Sequence, residues 1–197
     1  MAISNHQVQE TKLLLDQGAD INTPKDGMPF MVATCAGMND MVELLLDKGA
    51  DVNIPVDGMS PLIGAVLTGR NDTVELLLDK GALINPPTID GDSLLLMAAV
   101  SGHLNIRRLL IDRGASFVRN NSGFTPLIAA ATHDHDTIAK LLLSHHDEIE
   151  AVNVDGAPVL RLAALNGQEN LIKIVIEFNT NVNATGFTGE TALHKAA

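Results

Sequence analysis

The chain has no tryptophan and no tyrosine, and aromatics make up only 3% of its 197 residues. Any core must therefore be filled by Leu, Ile, Val, Met and Ala, side chains suited to small, closely stacked helices. A single cysteine, Cys35, excludes an intrachain disulfide and points to a reducing compartment. Cations are scarce: 13 Lys and Arg stand against 24 Asp and Glu, a net charge of −11. Such a surface repels phosphate backbones and anionic lipid, so neither nucleic acid nor membrane is expected as a partner. No apolar run approaches the ~20 residues of a membrane span. The N-terminal Met-Ala-Ile-Ser-Asn-His-Gln lacks the basic and apolar regions of a secretory signal. A cytoplasmic location is expected.

What the chain does have is a recurring phrase. It reads Leu-Leu-Leu-Asp-Lys-Gly-Ala-Asp-Val-Asn from Leu44 to Asn53, and similar runs end at Asn22, Asn85 and Asn183. The glycine of the phrase, or its replacement, falls at Gly18, Gly49, Gly81, Gly114, His146 and Asn179, in steps of 31 to 33 residues. A period near 33 predicts a stacked array of helix pairs, in which each unit contacts its neighbours, with no central pocket.

Asp57 to Ile89 shows the unit. Asp57-Gly58 is a turn pair. Ser60 is a good N-cap, and Pro61 fits the first helical position, where its missing N–H costs nothing. The first helix, Pro61 to Thr68, carries the small Gly64 and Ala65, which permit close helix approach. Gly69-Arg70-Asn71 turns the chain back into a second helix over Asp72 to Asp79, with Val74, Leu77 and Leu78 as its buried stripe. Gly81 ends that helix as a left-handed cap. Ala82 to Ile89 is Pro-rich and extended.

These units resemble the ankyrin repeat family. Its pattern is met in Asp57-Gly-Met-Ser-Pro-Leu62, in Ser122-Gly-Phe-Thr-Pro-Leu127 and most fully in Thr188-Gly-Glu-Thr-Ala-Leu-His-Lys-Ala-Ala197. The resemblance covers essentially the whole chain as about six repeats, in units 2–25 (partial), 26–56, 57–89, 90–121, 122–154, 155–187 and 188–197 (partial). It implies a mostly α solenoid of helix-turn-helix units joined by β-hairpin-like loops. Tetratricopeptide, HEAT and armadillo arrays lack the Gly-Ala-Asp-Val-Asn loop.

Several departures from the family pattern stand out. The His that ties loop to first helix is replaced by Met31, Ile63, Leu96, Ile128 and Arg161, and kept only at His194. That leaves either drier packing at the loop base or a more mobile loop. The capping glycine gives way to His146 and Asn179, which makes the stretch from His145 to Glu150 the least regular junction. The chain is expected to begin where a first helix is finishing and to stop where another has just begun, as a segment of a longer protein.

The candidate chemistry weighs towards structure. His133-Asp134-His135 and His145-His146 lie about 13 Å apart along a helix at 1.5 Å per residue, too far for one metal site. Cys35 has no partner for nucleophilic chemistry and reads as a packing residue. The Asp-Gly pairs at 26, 57, 90 and 155 are turns. Arg107, Arg108 and Arg113 read as a solvated face of a second helix. No catalytic, cofactor-binding or metal residue is assigned, and no enzyme activity or cofactor is expected.

The resemblance implies that a partner protein docks on the concave side, touching hairpin tips and first-helix ends. The tips are Lys25, Val56, Met59, Ile89, Asp92, Phe124, Val154 and Phe187; the helix ends are Cys35 with Ala36, Leu67 with Thr68, Val100 with Ser101, Thr132 with His133, and Leu165 with Asn166. Loop tips are normally polar, so Met59, Ile89, Phe124, Val154 and Phe187 suggest a line of apolar anchors. The expected function is a non-catalytic protein–protein interaction scaffold, monomeric unless its uncapped ends associate. The alternatives are a regulatory or targeting segment of a larger enzyme or effector, and a structural spacer. Its acidity favours a partner with a basic patch.

Overall fold

A computed structural model describes residues 2–19, 21, 28–122, 124–133, 135–144, 159–178, 181–185 and 189–197. Within these, a long helix α1 (Ala2–Asp16) precedes a series of short helix pairs. They are α2 (Met28–Ala36) with α3 (Asn39–Asp47), α4 (Pro61–Leu67) with α5 (Asn71–Asp79), and α6 (Leu94–Val100) with α7 (Leu104–Asp112). After α8 (Pro126–Thr132) and α9 (Asp136–Leu143) come α10, helical over 159–165, α11 (Glu169–Glu177) and α12 (Ala192–Ala196). Two rows result. The first helices α2, α4, α6 and α8 pack each on the next, and α1, α3, α5, α7, α9 and α11 form the second row. The expected mostly α solenoid is the architecture observed.

The local signals act as the sequence predicts. Ser60 Oγ accepts the Ile63 N–H at 3.3 Å, and Pro61 opens α4. Ser93 and Thr125 repeat the cap by accepting from Leu96 and Ile128. Gly81 ends α5 at φ +89°, with its N–H donating to Leu78 O and the Ala82 N–H to Leu77 O. Of the residues that replace the family's His at the loop base, Met31, Ile63 and Leu96 are buried, while Ile128 and Arg161 are half-buried. His194 keeps the tie: its Nδ1 accepts the Thr191 N–H and lies 2.7 Å from Thr191 Oγ1.

The core is a ribbon. One cluster runs from Phe30 to Ala115 and another from Leu96 to Val175, and Ile111 and Phe117 pack against both. The first-helix row is close-packed because small residues line it: a Cβ at Gly64 would stand 2.8 Å from Cys35 Sγ and 3.0 Å from Met31 Sδ.

Polar side chains also cross from one pair to the next. Asn53 Oδ1 accepts the Leu83 N–H and Asn85 Oδ1 the Ser116 N–H, both at 2.9 Å, which explains why the recurrent phrase ends in asparagine. At the inter-helix turns Arg70 Nε donates to Cys35 O at 2.9 Å, His103 Nε2 lies 3.3 Å from Leu67 O, and Gln168 Nε2 donates to Ala131 O at 2.6 Å. Arg70 and His103 cross over turn glycines: a Cβ at Gly37 would stand 3.0 Å from Arg70 Cδ, and one at Gly69 would meet the His103 ring at 2.6 Å.

Two expectations are corrected here. Arg107 is fully buried and not part of a solvated face. Shifting the stripe Val74, Leu77, Leu78 by one period gives Arg107, Leu110, Ile111, so the arginine occupies a core position. Arg108 remains exposed, and Arg113 pairs across the second row with Asp79 at 2.8 Å and Glu75 at 3.4 Å. The N-terminal stretch, expected to begin where a first helix is finishing, is the continuous helix α1 (Ala2–Asp16), which packs on α3. It contains no glycine or proline to break it. The junction 145–150, with His146, and the cap position Asn179 lie outside the described residues. Among the described residues no helix is long and apolar enough to cross a membrane.

Candidate functional site

The hairpin between Val56 and Met59 has a two-residue tip. Asp57 and Gly58 take φ of +52° and +78°, and Val56 and Met59 exchange both N–H···O bonds at 3.0 Å. Positive φ at both central residues is the geometry whose twist matches a hairpin, and Asp is one of the few side chains that tolerates it. Because the tip is only Asp57-Gly58, Val56 lies at its base and is buried, which corrects its assignment as an exposed contact. Met59 stays 38% exposed.

The next loop is fixed by its successor. Asn121 donates its backbone N–H to Asp90 O at 3.0 Å, and Asn120 Nδ2 donates to Asp92 Oδ1 at 2.7 Å. Asn120 Oδ1 also accepts the N–H groups of Ser122 and Phe124, at 3.0 and 2.9 Å. Asp92 is thus half-buried and partnered, while Ile89 is 85% exposed and Phe124 41% exposed.

Met59, Leu67, Ile89 and Asp92 come together around a notch of about 210 Å³ between adjacent hairpins, with Ile63 and Met97 from the first helices completing its apolar lining. Asp57 and Asp90 stand at its edges. Sequence reasoning read Ile63 only as a loop-base position, did not single out Met97, and missed the loop-fixing pair Asn120 and Asn121. The pair of asparagines before Ser122-Gly was the available signal, since Asn side chains bond neighbouring backbone in turns.

The remaining predicted contacts are spread along the array. Val100 and Leu165 are exposed, with Asn166 beside the latter, and Ser101 is half-buried. Thr68 Oγ1 donates to Gly64 O and Thr132 Oγ1 to Ile128 O, so both hydroxyl protons are used within their own helices. His133 folds back, its Nδ1 2.9 Å from Ala129 O and its ring stacked on His135 at 6.1 Å. Lys25, Val154 and Phe187 lie outside the described residues. Cys35 is half-buried, and burial pushes its thiol above the usual range despite the nearby Arg70 charge. Among the described residues no cluster of three or more His, Cys, Asp or Glu could hold a metal.

Comparison with known proteins agrees with this architecture. The crystal structure of the human ASB11 ankyrin repeat domain superposes with a TM-score of 0.79 at 24% identity, covering 100% of this chain and 90% of that one. At that identity the likeness concerns the fold. Neurogenic locus notch homolog protein 1 of Xenopus laevis and of Mus musculus are each 35% identical over 81 residues, 41% of this chain. The matched stretch is 3% of those much longer proteins. The sequence pattern described as ankyrin repeats (3 copies) matches residues 1–88 and 83–153. With most of its length matched and its helix pairs stacked in two rows, the chain belongs to the ankyrin repeat family.

Proposed function

We propose that the chain is a non-catalytic scaffold that holds a partner protein along the side carrying its hairpin tips and first-helix ends, in a reducing, cytoplasmic setting. Ankyrin repeats in general are protein–protein interaction modules, and the family assignment supplies that much. The observation that carries the finer reading is the exposure of Met59, Leu67, Ile89, Val100, Phe124 and Leu165 at tip or helix-end positions of the successive units proposed above. Apolar groups left in water at equivalent places along a rigid array are the composition expected at the centre of an interface. Hydrogen bonds from Asn120 and Asn121 hold the loops between them in place, which lowers the ordering cost of binding.

The test is capture of partner protein by the chain and by a Met59→Ala, Phe124→Ala variant, with thermal melting run in parallel. The scaffold reading expects capture to fall with melting almost unchanged. Lower melting with undiminished capture makes these residues stiffeners of their own loops.

A further inference from the structure

The notch between the hairpins of Met59 and Ile89 differs in chemistry from the rest of the tip surface. Its floor and walls are apolar: Ile63 is 3% exposed, and Ile89 reaches across so that its Cδ1 lies 3.8 Å from where a Cβ on Gly58 would stand. Its rim carries Asp57, Asp90 and Asp92, and no Lys, Arg or His lines it. At about 210 Å³ it is smaller than the ~300 Å³ lower limit of ordinary small-molecule pockets. It has room for a side chain and not for a whole cofactor.

Both walls are fixed before anything binds. The Met59 side is locked by the tight turn, and the Ile89 side by Asn121, whose N–H bonds Asp90 O and whose Nδ2 lies 3.4 Å from Ile89 O. An aliphatic group entering the notch loses water on several sides, while a cationic neighbour meets carboxylates within a chain of net charge −11. An anionic neighbour is repelled by the same rim.

We infer that this notch receives one aliphatic side chain, leucine-, isoleucine- or methionine-sized, from a basic segment of a partner protein, whose flanking Lys or Arg residues pair with Asp57 and Asp90. This rests on the scaffold reading above and gives it a partner chemistry.

The test uses fluorescein-labelled heptapeptides on the full chain: a central leucine flanked by lysines and arginines, the same peptide with serine in the centre, and a leucine peptide flanked by glutamates. Anisotropy is expected to rank the basic leucine peptide about tenfold tighter than the serine peptide, with no binding of the acidic one. Ile89→Ser, at a position mostly in water, should erase the leucine preference. Asp57→Asn with Asp90→Asn should weaken the basic peptide and flatten its salt dependence; Asn tolerates the positive φ at 57. Ile176→Ser, exposed on α11 in the second row and remote from the notch, should change none of these affinities.

Equal affinity for the leucine and serine peptides, no detectable binding at about 1 mM, or an unaltered preference in Ile89→Ser overturns the inference. If that happens while Met59→Ala, Phe124→Ala still loses its partner protein, the notch chemistry is wrong and the scaffold stands. If the leucine preference is found but tip substitutions never affect capture of a folded partner, the notch stands and the scaffold reading falls.

Discussion

Gly69→Ala separates the two forces that hold neighbouring helix pairs together. Gly69 sits at φ +73° in the turn between α4 and α5, and a Cβ there would lie 2.6 Å from His103 Cε1 and 3.0 Å from Nε2. The left-handed conformation costs an alanine roughly 1–2 kcal/mol. Displacing the ring also breaks the 3.3 Å contact of His103 Nε2 with Leu67 O, a loss of about 1 kcal/mol. Gly81→Ala is the control: it carries the same kind of strain at φ +89°, but no atom lies within 4 Å of the new Cβ. The expected destabilisation is therefore about 2–3 kcal/mol at 69 and about 1–2 kcal/mol at 81. In urea unfolding followed by helical circular dichroism, the difference between them is a midpoint shift of about 0.5 M. Adding His103→Ala to Gly69→Ala should recover the steric part, so that the double mutant is less damaged than the sum of the singles. Equal costs at 69 and 81, or strict additivity with His103→Ala, would refute the idea that the turn glycines make room for the neighbouring pair.

Other outcomes follow from the same geometry. Arg107→Met should lower the urea midpoint less than Arg107→Ala does, because methionine keeps more of the volume of this fully buried side chain. Arg107→Ala should cost about 2–3 kcal/mol through lost packing; Met and Ala variants of equal stability would contradict this. Cys35 should react with iodoacetamide more slowly than an unfolded-chain cysteine at the same pH, the rates converging in denaturing urea, since burial raises its folded-state pKa. The sign for stability follows: the folded thiol holds its proton longer, so its contribution is intact below the unfolded thiol's pKa and is lost as pH rises through the folded value. A Cys35→Ser variant should lack that part of the alkaline decline. Asp16 sits below the usual carboxylate range because Lys48 donates to it, so Lys48→Ala should move its NMR titration upward; an unmoved titration would deny the link between α1 and α3.

What the sequence revealed and what it concealed divide along a physical line. Ser60, Pro61 and Gly81 act on atoms within four residues of themselves, so their caps could be read from the chain alone. The role of Asn53 and Asn85 could not, because their partners Leu83 and Ser116 lie a full period away. Arg107 was misjudged for the opposite reason: its charge outweighed its place on the stripe, although the repeat register put it level with Val74. Val56 was misplaced by counting it into a tip that is only two residues long. The notch was half-seen, with Met59 and Ile89 picked out because apolar tips are unusual. Its floor of Ile63 and Met97 emerges only when one helix pair is stacked on the next.

The decisive measurement is a hydrogen-exchange footprint of the chain with its bound partner. Recognition spread along the tips and first-helix ends predicts new protection around 57–59, 67–68, 89–92, 100–101, 124, 132–133 and 165–166, with α3, α5, α7, α9 and α11 unchanged on their outer side. Protection confined to that second row of helices, or to a single helix pair, would contradict the account.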